Sequence, residues 1–104
     1  MTAYGTTLAA LADPTRRSLF ERLRRRELAV GELARALRIS QPAVSQHLGV
    51  LARARLVRER REGTRHYFSA SPEGLAELRT YLESLWDDVL AAYAGAPGPK
   101  PRKP

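Results

Sequence analysis

Between Gly31 and Leu51 the chain reads Gly-Glu-Leu-Ala-Arg-Ala-Leu-Arg-Ile-Ser-Gln-Pro-Ala-Val-Ser-Gln-His-Leu-Gly-Val-Leu. Its apolar spacing admits little besides two short helices around a tight turn. Leu33, Ala34 and Leu37 form one apolar set; Val44, Leu48 and Leu51, at i, i+4 and i+7, form the other. Only Arg38, Ile39 and Ser40 lie between them. The Ser40 hydroxyl suits a helix N-cap, and Pro42 falls in the first turn, where no helical N–H is lost. The outward face of the second helix carries Gln41, Ser45, Gln46 and His47. These are short groups that hydrogen-bond base edges, where a merely solvated helix would more often show Glu and Lys. The pattern predicts a helix-turn-helix whose second helix, about residues 41–54, enters the DNA major groove.

The flanking segments extend this frame. Residues Tyr4 to Ala12 form a short apolar helix with Leu8 and Leu11 on one face. Asp13-Pro14 caps and opens a second helix, whose stripe is Leu19, Phe20 and Leu23 and whose end is Arg24, Arg25 and Arg26. Gly31 is placed to cap the third helix. From Leu56 the period changes: Leu56 to Arg61, then Glu62-Gly63-Thr64, then Arg65 to Ser69 reads as a β-hairpin with Gly63 in its turn. Its arginines, with His66, suit a basic wing (about residues 56–70) on phosphates or the minor groove. The same residues also suit a solvated hairpin that guards its strand edges with charge.

Ser71-Pro72-Glu73 opens a last helix running to about Tyr93. Leu75, Leu78, Leu82, Leu85 and Val89 recur along it at steps of three and four, widened by Trp86, Leu90 and Tyr93. That stripe exceeds what one small domain covers and predicts a subunit interface with the first helix, formed by Leu8, Leu11, Leu78, Leu82, Leu85, Trp86 and Val89. The fold class is therefore mainly α with a small β-hairpin, in the order α-α-α-α-β-β-α, dimerising through the first and last helices. One domain is expected over residues 1–94. Residues 95–104, with four prolines and three cations, are expected to be a disordered tail.

Charge distribution sharpens the functional reading. The net charge is +7, but Arg16 to Arg65 holds fourteen arginines against five acids, while Pro72 to Gly95 holds one arginine against five acids. A basic helix-turn-helix beside an acidic last helix fits a DNA binder with a separate self-association surface. A GC-rich coding bias would also yield many arginines. There is no cysteine, which excludes disulfides and thiolate metal sites. No run of about 18 apolar residues is present and no basic leader opens the chain, so a cytoplasmic, nucleoid-associated bacterial protein is expected. No Ser/His/Asp set, Gly-rich phosphate loop or paired carboxylates in a cleft suggest an enzyme.

With helix, helix, helix-turn-helix, wing and long helix in sequence, the chain resembles the ArsR-type family of winged helix-turn-helix repressors. The likeness rests on Leu11-Ala-Asp-Pro-Thr-Arg-Arg17, Val30-Gly-Glu-Leu-Ala34, Ser40-Gln-Pro-Ala-Val-Ser-Gln-His-Leu48 and Gly63-Thr-Arg-His-Tyr67, in that order. The resemblance implies a homodimer on an imperfect palindrome in a promoter, usually repressing and often autorepressing. It implies base-edge contacts from Gln41, Pro42, Ser45 and Gln46. Gln suits adenine, Ser suits several bases, and Pro42 or Ala43 suits a thymine methyl. Ser40 combines capping with a phosphate contact, and His47 either donates to a phosphate or lies between helices. Arg53, Arg55 and Arg38 are phosphate candidates, and Arg65 with His66 represents the wing.

The departures concern sensing. Metal-sensing relatives carry Cys-Val-Cys at the start of the third helix, where this chain has Ala29-Val30-Gly31. Others hold metal on their last helices with Asp and His, but here that helix has Glu73, Glu77, Glu83, Asp87 and Asp88 and no histidine. No metal and no cofactor are expected, and a co-regulator protein and a small-molecule inducer both stay open. The competing readings are a non-specific DNA-coating protein, a metal-responsive regulator that depends on a partner protein, and a winged helix used only for protein contacts.

Overall fold

The computed structural model describes residues 2–93; the tail expected over 95–104 lies outside the described residues. Helix α1 is Ala3–Ala12, α2 is Pro14–Leu23, and a two-residue strand β1, Leu28–Ala29, precedes α3 at Val30–Leu37. Then follow α4 (Gln41–Arg53), β2 (Val57–Glu62), β3 (Arg65–Ala70) and α5 (Pro72–Ala92). The helices stand where the apolar spacing puts them. The sheet differs from expectation. It has three antiparallel strands in the order β1-β3-β2, because Leu28 pairs with Phe68 and Ala29 with Tyr67. A two-residue strand carries too little alternation to show in sequence.

Caps fix the joints. Thr2 Oγ1 accepts from the Gly5 N–H, Asp13 Oδ2 from Arg16 at 3.0 Å, and Ser40 Oγ from Ala43 at 3.2 Å. The Arg16 Nε and Nη2 donate to the carbonyls of Ala10 and Ala9, and Arg17 Nη1 to that of Leu11. The Asp-Pro-Thr-Arg-Arg run is thus a helix junction: its acid starts α2 while its arginines satisfy the last carbonyls of α1. Gly31 is not a cap. Helix α3 begins one residue earlier, and Glu32 closes its start by accepting from the Ala29 N–H at 2.9 Å. Ser71 sits at the N-cap of α5, but its hydroxyl donates to the Glu73 carboxylate and accepts no hydrogen bond from the helix backbone.

The core gathers Leu19, Leu23, Leu33, Val44, Leu48, Leu51 and Leu56, all essentially without solvent exposure. Helix α1 buries Thr7 and Ala10 against this core, and Leu11 packs partly onto it. Arg38, at φ 58°, takes the left-handed cap that turns α3 into α4, and Arg55, at φ 59°, does the same after α4. Helix α5 starts where α4 ends: Ser71 N–H donates to Leu56 O at 2.9 Å and Gly74 N–H to Arg55 O at 2.8 Å. Downstream it lies along α1, where the rings of Tyr4 and Tyr81 stack 3.9 Å apart. None of the described helices is long and apolar enough to cross a membrane.

Candidate nucleic-acid interface

Helix α4 divides cleanly. Val44, Leu48 and Leu51 are buried, which turns Gln41, Pro42, Ser45 and Gln46 outward; Ala43 and His47 are half-buried at the margins. With 3.6 residues per turn, anchoring one stripe fixes the direction of the opposite one. Ser40 is exposed while its hydroxyl caps the helix. Arg53 is exposed at the last turn. His47 lies near Asp13, whose carboxyl is held below its ordinary range first by the Arg16 N–H and also by the charges of Arg16 and His47.

A groove of about 660 Å³ runs between α3, α4 and the wing. Gln41, Ser45 and Gly49 line one wall, Glu59, Arg65 and His66 the other, and Gly31, Glu32 and Arg35 its head. A β-carbon added to Gly31 would meet Gln41 Nε2 at 3.5 Å and Arg35 Nη1 at 3.6 Å, so those two side chains converge there. Arg35 was not among the sequence candidates. Its exposed place on α3, one turn after Gly31, was the available signal.

The hairpin register sorts the wing charges onto two faces. Arg58 pairs with Ser69, Arg60 with Tyr67 and Glu62 with Arg65, so these six share the outer face. Glu59, Arg61, His66 and Phe68 share the other, and Glu59, His66 and Phe68 line the groove, which Arg65 at the turn end of the hairpin also reaches. Gly63, at φ +62°, makes the two-residue turn with Thr64. Carboxylates engage most of the wing cations. Arg58 donates to Glu73 at 3.0 Å, and Arg60 to Glu27 and Glu62, each at 2.7 Å. Arg61 lies 3.7 Å from Glu59, which also pairs with His66. The hydrogen bond with His66 is the main reason the Glu59 carboxyl is held low, with Arg61 assisting. Arg55, beyond α4, pairs with Glu77. Among the described residues Arg65 has no carboxylate partner; it reaches only Tyr67 Oη, at 3.5 Å. Of the sequence candidates around the wing, Arg65 therefore keeps its charge available, while Arg55 and Arg58 are spent on α5.

The surface expected for subunit contact lies at the other end of the molecule. Leu82, Trp86 and Val89 are each about half exposed (50, 51 and 51%), and Leu8 and Leu85 stand beside them in the same condition. Leu78 is half-buried and Leu11 belongs partly to the core, so these two are the least available of the set. Among the described residues no three His, Asp or Glu side chains come together as a metal site.

A family model described as a helix-turn-helix domain matches residues 11–60. The HTH-type transcriptional regulator Rv2034 of Mycobacterium tuberculosis is 58% identical over 85 residues, covering 82% of this chain and 79% of that protein. The nodulation protein NolR of Rhizobium meliloti is 36% identical over 86% of this chain and 74% of its own length. Among solved structures, an ArsR-like transcriptional regulator from Rhodococcus sp. RHA1 superposes with a TM-score of 0.74 at 30% identity, over 86% of this chain and 88% of that one. The Mycobacterium and Rhodococcus proteins are named as transcriptional regulators, and the Rhodococcus structure shares the winged helix-turn-helix fold.

Proposed function

Since the chain belongs to the ArsR/SmtB family of helix-turn-helix transcriptional regulators, we propose that it is a homodimeric, sequence-specific repressor of the bacterial cytoplasm. Helix α4 lies in the major groove. Gln41, Ser45 and Gln46 read base edges, Pro42 and Ala43 meet a thymine methyl, and Ser40, His47 and Arg53 meet phosphates. Arg65 and His66 carry the wing to the flanking backbone or minor groove. The operator is a palindrome with half-sites roughly 10 base pairs, or about 34 Å, apart. Steric overlap with polymerase then suffices for repression, and the chain's own promoter is a candidate target.

One observation carries this reading: the polar stripe of α4 faces outward because Val44, Leu48 and Leu51 anchor the opposite side. A protein that only coats DNA needs cations on that stripe, and here glutamines and serine occupy it. The half-exposed face of Leu82, Leu85, Trp86 and Val89, together with Leu8, supports dimerisation through α1 and α5. Residues 1–94 act as one binding and dimerising unit, with 95–104 as an appended tail.

Gln46→Ala tests the reading. On an operator fragment it should cost about 1–3 kcal/mol, the worth of one bidentate base contact, and leave random DNA nearly unaffected. Equal loss on both would favour non-specific coating.

A further inference from the structure

Arg60 is the most heavily engaged cation of the wing, and its partners come from three directions. Its Nε donates to both Glu27 oxygens at 3.1 and 3.3 Å, and its Nη2 to Glu27 Oε1 at 2.7 Å. Its Nη1 donates to Glu62 Oε2 at 2.7 Å. Its guanidinium carbon lies 4.7 Å over the Tyr67 ring. Glu27 is 33 residues away in sequence, immediately ahead of β1, while Arg60 is on β2 and Tyr67 on β3 between them. The side chain therefore crosses the outer face of the whole sheet, from one edge strand to the segment that leads into the other. A fork-to-fork arginine–carboxylate pair is directional, and stacking fixes the plane of the fork as well.

Resting on the DNA-binding reading above, we propose that Arg60 is a positioning residue. It straps the hairpin to the α2–β1 connection and sets the angle at which the wing meets DNA, without itself touching a phosphate. Each of its three nitrogens already donates to a carboxylate, and two carboxylates on one guanidinium leave the cluster net negative, which repels a phosphate. Other hairpin ties, such as Arg58 to Glu73, hold the base near α5. The strap instead acts at mid-hairpin, toward the tip that carries Arg65. Exposed single ion pairs contribute little, but a bidentate pair in a network is the favourable exception.

The experiment compares Glu27→Gln, Arg60→Gln, Arg60→Lys and the Glu27→Gln/Arg60→Gln double variant. Affinity is measured by fluorescence anisotropy on the duplex most enriched from a random library and on random-sequence DNA, across salt concentrations. Hydrogen exchange of the β2 and β3 amides is followed without DNA, and thermal unfolding confirms folding. Each single variant should weaken the selected duplex about three- to tenfold, the ordering cost of one or two side chains. The salt slope should be unchanged, the double should be no worse than either single, and hairpin exchange should quicken. Arg60→Lys, which keeps the charge but loses the fork, should behave like Arg60→Gln. If Arg60 contacts phosphate instead, Glu27→Gln tightens binding by freeing it, and Arg60→Gln lowers the salt slope by about one per protomer. Either of those results, unchanged affinity, or unchanged hairpin exchange overturns the proposal. Failure of the wild-type chain to enrich any duplex would overturn the DNA-reading function itself, while the exchange data would still decide whether the strap anchors the wing.

Discussion

Replacing Gly74, buried in the first turn of α5, with alanine should destabilise this protein, although glycine-to-alanine changes within helices ordinarily stabilise. The new β-carbon would stand 2.5 Å from the Ala54 carbonyl oxygen and 2.8 Å from that of Arg55. To bring the first contact out to an ordinary 3.4 Å, the start of α5 must retreat by about 0.9 Å. Neither partner can give way, because both are backbone atoms in the left-handed turn that closes α4. The Gly74 N–H bond to Arg55 O, 2.8 Å long, locks the same approach. Overpacking of this kind costs about 1–3 kcal/mol. Weakening the hydrogen bond costs about 1 kcal/mol more. Alanine returns at most about 1 kcal/mol of helix propensity. The net loss of about 1–3 kcal/mol should lower Tm by roughly 5–20 °C in a domain of this size. Gly49→Ala is the internal control. That β-carbon meets only Arg53 Nη1, at 3.6 Å, so helix propensity dominates and Tm should rise by a few degrees. Both are read by circular dichroism at one protein concentration, since dimerisation couples to Tm. A Gly74→Ala protein within about 3 °C of wild type, or the same sign of shift for both variants, would refute the packing argument.

Three further outcomes are expected. Leu82→Glu should give monomers in analytical ultracentrifugation and abolish operator binding with little change in protomer fold. The half of Leu82 left exposed contributes about 1 kcal/mol per protomer on burial, and a carboxylate there adds a larger desolvation cost, so a variant that stays dimeric would misplace the interface. Arg65→Gln should weaken selected and random DNA alike and lower the salt slope by about 0.9 per protomer, as loss of one phosphate contact requires; an unchanged slope would remove Arg65 from the interface. The Glu59 carboxyl is held below its ordinary value of 4.5 by His66 and then Arg61, so its stabilisation is present above that value and is lost as pH falls below it. Glu59→Gln should therefore flatten the acid limb of a Tm-against-pH curve below about pH 5, and a limb as steep as wild type would contradict the pairing.

Local chemistry made much of the fold legible. Ser40, Asp13 and Pro42 mark helix starts through interactions within three residues, and Val44, Leu48 and Leu51 declare a buried stripe by period alone. The same stripe fixes the outward direction of Gln41, Ser45 and Gln46. What sequence concealed depends on contacts between distant segments. Strand β1 exists only because β3 pairs with it. Leu11, on the face of α1 assigned to subunit contact, packs partly into the core because Thr7 and Ala10 draw the helix against it. Gly74 reads as an ordinary helical residue until the end of α4 is placed against it. The hairpin's excess of arginine was visible, but much of its neutralisation was not: Glu27 and Glu73 come from outside the hairpin to engage Arg60 and Arg58, beside the hairpin's own Glu59 and Glu62, and leave Arg65 standing out.

In vitro selection from a random duplex library with the full chain tests the central claim most directly. The account predicts enrichment of a two-fold symmetric sequence with half-sites about 10 base pairs apart, bound by two chains, and preferred over random DNA by roughly a thousandfold or more. A pool that stays random through successive rounds, while the protein still binds it in a strongly salt-dependent way, would contradict sequence reading by α4 and leave a protein that only coats DNA.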